Sequence, residues 1–277
     1  MIELFKVNMA VIRKMKSLWV VLGIFNVVVC LLLWGYVADA GNKSFMFSAG
    51  LLSNAADYDI VSVCFAVFFL GREYIQGTIK NRVISGHTRL EIFLTYYAAV
   101  CVIFFIWFGS MFFMGFVGSL MLGFFYTLKE CVLHMVLCLV SGMVTAALLM
   151  IIFAMVNSGS FCILTGVIVA IVMVAIGTEM TEYVGSLSTE ISSDGAGNLV
   201  VNDGETALER GSIDRRITEI AYFTLPVVST IGVSDTWGYN MLVSHLSNGA
   251  EIVLIDCLWI AVLMTIGVLI FKYKKVR

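Results

Sequence analysis

Charge is missing from this chain over lengths that a water-soluble fold cannot accommodate. Residues 131–178 contain no Asp, Glu, Lys or Arg, and neither do residues 92–128 or 17–38. A soluble domain needs a polar surface around its core, and runs of this kind leave none. About 20 apolar residues, rising ~1.5 Å each, cross a ~30 Å hydrocarbon layer, so the runs read as membrane spans. The composition agrees, with 60% hydrophobic residues, 13% charged residues and a mean hydropathy of +0.99.

Six spans account for the pattern. Residues 17–38 form the first. Residues 57–73 form the second, with Asp57, Tyr58 and Asp59 at the outer interface and Arg72 snorkelling at the inner one. The run 92–128 is too long for one span and too short for two, so one long helix over 92–118 is expected to bend or break near its far end. Gly109, Gly115, Gly118 and Gly123 gather there. The run 131–178 holds two spans, residues 131–156 and 160–178, turning at Asn157, Ser158, Gly159 and Ser160. Residues 251–271 make the sixth span, with Asp256 one turn inside it. The expected fold is an all-α integral membrane protein with six transmembrane helices in a single domain, residues 1–277.

Six spans put both termini on one side, and that side carries 12 of the 17 Lys and Arg residues but 3 of the 19 Asp and Glu residues. Basic loops face the cytoplasm, so both termini are expected inside a plasma membrane. Residues 1–16 place Ile2, Phe5, Met9 and Ile12 at helical spacing beside Lys6, Arg13, Lys14 and Lys16. That pattern suits an amphipathic helix in the inner headgroup layer. A cleaved signal would explain the basic start and Ala38-Asp39-Ala40, but the charge-free run 17–38 exceeds the ~7–15 apolar residues of a signal core.

Residues 179–250 form an outer loop. The turn signals Asp194-Gly195 and Asp203-Gly204 frame a short β-prone run, which predicts a small hairpin. Residues 205–220 read as a polar helix, and residues 221–232, with the single proline Pro226, as a segment returning to the outer interface. Contact with cargo and capping of the outer mouth both remain open for this loop.

Catalytic chemistry is sparse. His87, His134 and His245 fall in separate regions and cannot share a metal. Ser160 lies at the inner turn and His134 near the outer face, so they form no dyad. The seven cysteines lack a C-x-x-C pattern and act as small apolar residues. No phosphate-binding Gly-x-x-x-x-Gly-Lys-Ser/Thr loop occurs, so neither enzymatic activity nor a cofactor is expected in this chain. Asp256 is the one candidate for a pathway or outer-gate carboxylate, and its place beside Glu251 favours a water-exposed, interfacial position. Energy for transport would then enter from another protein.

The inner loop, residues 72–90, alternates Arg72, Glu73, Gln76, Lys80 and Asn81 with Tyr74, Ile75, Ile79 and Val83, which predicts a short amphipathic helix interrupted by Gly77 and Gly86. Glu73-Tyr-Ile-Gln-Gly77-Thr78-Ile79-Lys80-Asn81, followed by Ser85-Gly86 and Arg89, resembles the Glu-x-x-x-Gly-Thr-x-(Lys/Arg)-Asn … Gly-x-x-Arg segment of ABC-2 type transporter permeases. The order of spans, the interfacial helix at the start and the large outer loop before the last span are similar too. The motif itself is confined to residues 71–89.

That resemblance implies that the segment is a cytoplasmic coupling helix, with Glu73, Gly77, Thr78, Lys80, Asn81 and Arg89 as the coupling residues. Gly77 would let a partner approach the backbone, Lys80 and Arg89 would pair with charges or headgroups, and Glu73 would tie the helix to neighbouring basic residues. The implied partners are an ATP-binding cassette subunit holding ATP and Mg, a second permease copy and membrane lipids in a bacterial cell membrane, with no nucleic acid. A basic loop that only enforces topology would explain the charges, though not the spacing of Glu73, Gly77-Thr78 and Arg89. The implied activity is export of an amphipathic cargo such as an antimicrobial peptide, a lipid-like molecule or a drug. Phe104, Phe105, Trp107, Phe108, Met111, Phe112, Phe113 and Met114 would suit such a cargo or would simply pack and face lipid. A self-contained channel or ion-coupled carrier working through Asp256 is one alternative. A receptor for a cationic peptide is the other.

Overall fold

A helix in hydrocarbon satisfies its own backbone, and apolar side chains all round it let it pack on several neighbours at once. The computed structural model of this chain, describing residues 1–39, 55–122, 128–156, 158–169, 171–172, 175, 190–193, 199–202 and 249–274, is built on that rule. Its helices are α1 (Ile2–Lys14), α2 (Lys16–Asp39), α3 (Ala55–Ile75), α4 (Thr78–Ile84), α5 (Arg89–Leu122), α6 (Leu128–Met155), α7 (Gly159–Val169) and α8 (Gly249–Tyr273).

Among the described residues three stretches are long and apolar enough to cross a membrane alone: Arg89–Val117, Met135–Met155 and Val253–Tyr273. Two bent pairs raise the number to five, α1 with α2 at 56° and the Tyr58–Ile75 part of α3 with α4 at 59°. These apolar helices make the chain a membrane protein. α7 is an apolar helix below spanning length. Of the expected fifth span, residues 160–178, the later part lies largely outside the described residues. α6 ends at Met155 and α7 begins at Gly159, where the Ser158 hydroxyl accepts from the Phe161 amide. The chain therefore turns where the Asn157 to Ser160 signal placed a turn.

α5 is the centre of the bundle, touching α1, α2, α3, α4, α6 and α8. Phe93, Tyr96, Val100, Phe104, Trp107, Phe108 and Met111 are buried along it, while Phe105 and Phe113 remain exposed. Much of its aromatic content is thus packing surface. A single helix runs to Leu122 through Gly109, Gly115 and Gly118, so the break expected there is not found, and Gly123 lies outside the described residues.

Tyr58, expected near the outer end of its span, packs against neighbouring helices. It is fully buried and its hydroxyl donates to Asn26 Oδ1 at 2.7 Å. Asn26 Nδ2 in turn donates to the Leu22 carbonyl at 2.8 Å and to Ser110 Oγ at 3.2 Å. A polar pin therefore joins α2, α3 and α5 inside the bundle, because an amide in an apolar interior needs partners.

Residues 179–250 contribute a two-stranded antiparallel pair, β1 (Glu190–Ser193) with β2 (Leu199–Asn202), in register Glu190↔Asn202 to Ser193↔Leu199, where the hairpin was expected. The expected helix 205–220 and returning segment 221–232 lie outside the described residues.

α3 and α7 approach closely through glycine. A Cβ at Gly159 would stand 2.4 Å from the Gly71 carbonyl oxygen, and one at Gly166 would stand 2.5 Å from Val67 Cγ2. Gly109 faces open space. Gly159→Ala should therefore lower stability by ~1–3 kcal/mol through overpacking, whereas Gly109→Ala should be neutral or slightly stabilising. Thermal unfolding of the two variants in nanodiscs separates them, and equal midpoints would contradict this packing.

Candidate functional site

The segment between α3 and α5, residues 72–90, gathers ionisable residues beside apolar helices, and each must either reach water or find a partner. The structure sends them both ways. Glu73, at the inner end of α3, is buried at 2% exposure and Arg82, in α4, at 6%. Arg82 Nη2 donates to Glu73 Oε2 at 3.3 Å and to Asn8 Oδ1 of α1 at 2.8 Å. Tyr96 of α5 donates its hydroxyl to the same Glu73 oxygen at 2.7 Å, and the guanidinium carbon lies 4.7 Å from the Tyr96 ring centroid. Asn8 Nδ2 completes the set by donating to the Thr95 carbonyl at 3.2 Å. Arg82 Nη1 is buried with no hydrogen-bond partner among the described residues, so the ring face below it is its compensation.

Four helices are thereby cross-braced around one ion pair. The brace explains the geometry of α4. Gly77 adopts φ +65°, and the chain leaves α3 there to start α4 at 59°. A side chain at Gly77 would meet nothing within 4 Å, so its requirement for glycine comes from the left-handed backbone and not from crowding. Thr78 opens α4 and is half-buried.

Each coupling residue expected from the sequence now has a place. Lys80 and Asn81 are exposed, and Ile75 and Ile84 beside them are 64% and 73% exposed. Glu73 points inward, with its tie to a basic residue made inside the protein and not at a surface. Arg89 is half-buried and bonds to backbone at the end of α8. Its Nη1 donates to the Lys272 carbonyl at 3.0 Å and to the Lys274 carbonyl. Asp256 is corrected, being 2% exposed and not at a watery interface, because α8 packs along α6 and α5.

Sequence reasoning missed Arg82, Asn8, Tyr96 and Lys274. Asn8 had a signal, since it sits at four-residue spacing between Leu4 and Ile12, the buried stripe of α1. The expected face, Ile2, Phe5, Met9 and Ile12, is rotated from the observed one, and Ile2 is exposed. Thr88-Arg-Leu-Glu91 was legible as a capping box. The Thr88 amide donates to Glu91 Oε2 at 3.1 Å and the Glu91 amide to Thr88 Oγ1 at 3.3 Å, starting α5.

Lys274, just past α8, sends its Nζ to the Phe153 carbonyl at 3.2 Å, to the Val156 carbonyl and to the Tyr74 hydroxyl. Burial pushes this ammonium down to about 8, against a smaller opposing effect of Cys162. It is therefore protonated at neutral pH and has three N–H donors for three acceptors.

No protein-family model matches this chain, and no curated protein matches it either.

Removing one member of a buried ion pair leaves the other uncompensated. Arg82→Ala and Glu73→Ala should each cost ~3–5 kcal/mol, while Lys80→Ala should stay within ~0.5 kcal/mol. Denaturant unfolding of the detergent-solubilised protein measures both, and an Arg82 variant as stable as the Lys80 variant would refute the brace.

Proposed function

We propose that this chain is the permease subunit of an ATP-driven exporter of the ABC-2 type. It would carry six spans and cytoplasmic termini in a bacterial plasma membrane and work as a pair with a second permease copy. The observation that carries the reading is α4 itself. A seven-residue helix leaves α3 at 59°, is held from behind by the Glu73–Arg82 pair, and carries exposed Lys80, Asn81 and Ile84, with Ile75 exposed at the end of α3. A rigid mount with an exposed apolar and cationic face suits transmission of force from a docked ATPase subunit. A flexible basic loop would serve topology equally well and would need no brace.

In this reading the ATPase, holding ATP and Mg, closes on nucleotide and displaces α4, and the brace moves α1, α3 and α5 with it. Energy reaches the permease through the different affinities of the ATPase for the two permease states. The coupling surface comprises Gly77, Thr78, Lys80 and Asn81 with Ile75 and Ile84, while Glu73 and Arg89 hold that surface in position. The cargo is an amphipathic molecule, such as an antimicrobial peptide, a lipid-like compound or a drug.

A second reading has its own observation. Asp256 is buried within α8, and Asp59 Oδ1 is buried in α3 with no hydrogen-bond partner among the described residues. Carboxylates inside a bundle suit an ion-coupled carrier. Transport by the purified chain without any ATPase, lost in Asp256→Asn, would favour that carrier.

With an ATP-binding cassette protein that co-purifies, Gly77→Arg and Ile84→Asp should leave membrane insertion intact and abolish stimulation of the ATPase. The aspartate variant matters because it alters the exposed face without straining a left-handed residue. Full stimulation in both variants would remove α4 as the docking site.

A further inference from the structure

The last carbonyls of a helix have no partner within it, and a cation placed there satisfies them and meets the negative end of the helix dipole. At the inner face this happens twice, in opposite directions. Arg89, at the start of α5, gives its guanidinium to the Lys272 and Lys274 carbonyls at the end of α8. Lys274 gives its ammonium to the Phe153 and Val156 carbonyls at the end of α6. The same ammonium reaches the Tyr74 hydroxyl in α3 and lies 4.7 Å from the centroid of that ring. Tyr74 follows Glu73 directly, and its hydroxyl also donates to the Phe153 carbonyl.

α8 packs along α6 and α5, and much of the rest of it faces outward, with Leu254, Leu258, Val262 and Leu269 exposed. A polar tie between α8 and α3, the element that carries α4, runs through Lys274. Its chemistry is specific, because three acceptors on two elements require three donors on one flexible stem.

We infer that Arg89 and Lys274 form a two-cation clasp in which Lys274 is the positioning residue that makes the last span follow the docking helix. The inference rests on the reading of α4 as a docking helix for the role of the clasp, but its mechanical part does not need a partner. When α4 is displaced, Tyr74 moves with the end of α3, and Lys274 carries the motion to the ends of α6 and α8. Lipid contact alone gives α8 no directional link of this kind.

The test compares Lys274→Met, which keeps the stem and loses the donors, with Lys274→Arg, which keeps a cation. In nanodiscs without any partner, amide hydrogen exchange in Lys274→Met should accelerate at least ten-fold in both the last turn of α8 and residues 78–84. Lys274→Arg should stay close to wild type. Unchanged exchange in the methionine variant, or acceleration confined to α8, would overturn the clasp. If the methionine variant does not fold, Tyr74→Phe, which removes a single hydroxyl, should accelerate both segments in the same way, and unchanged exchange there would also overturn it.

With the ATPase present, Lys274→Met should bind it with unchanged affinity and lose at least ten-fold in stimulated turnover, restored by Lys274→Arg. Full stimulation in the methionine variant would overturn the transmission role. Should no ATPase bind even the wild type, the docking reading falls, while the exchange result still decides the clasp.

Discussion

A carboxylate and a guanidinium held 3.3 Å apart at the inner end of α3 set the arrangement of everything near them. Neither group tolerates a low-dielectric site alone, since an isolated buried ion costs several kcal/mol even after relaxation. Together they still need their remaining donors and acceptors satisfied. Asn8 and Tyr96 supply those contacts, and α1, α3, α4 and α5 converge on one point for that reason. The angle of α4, the docking of α1 on α5 and the outward face of the inner loop all follow from this convergence.

The remaining inner charges divide by what lies within reach. Lys80 is exposed on α4. Arg89 and Lys274 stand next to helix ends whose carbonyls would otherwise lack donors, and they turn inward. Residues of one charge thus acquire opposite roles. The inner ends of α3, α5, α6 and α8 become a braced layer, while the middle of the bundle rests on side-chain packing around α5 and on the Asn26–Tyr58–Ser110 pin.

Much of the fold was legible because it depends on composition along the chain. Charge-free runs marked the apolar helices, Ser158 and Gly159 marked the turn after α6, and Asp-Gly signals marked the hairpin strands. Alternation in residues 72–90 marked a short helix between Gly77 and Gly86. The site was legible only in part. Gly77 was singled out for approach by a partner, and the structure shows a further requirement for glycine there, a backbone at φ +65°. Glu73 was correctly tied to a basic residue, but nothing in the linear pattern distinguished Arg82 from Arg72, which is exposed.

What the sequence determined by itself was solvent preference, the apolar helices and the turns between them, which are properties of local composition. Which charges are available was decided by tertiary structure. Burial of Glu73, Arg82 and Asp256, rotation of the α1 face to present Asn8, and inward turning of Arg89 and Lys274 depend on residues far away in the chain. A charge answers to the dielectric and the partners within a few ångströms of it, and only the packed helices bring those partners together.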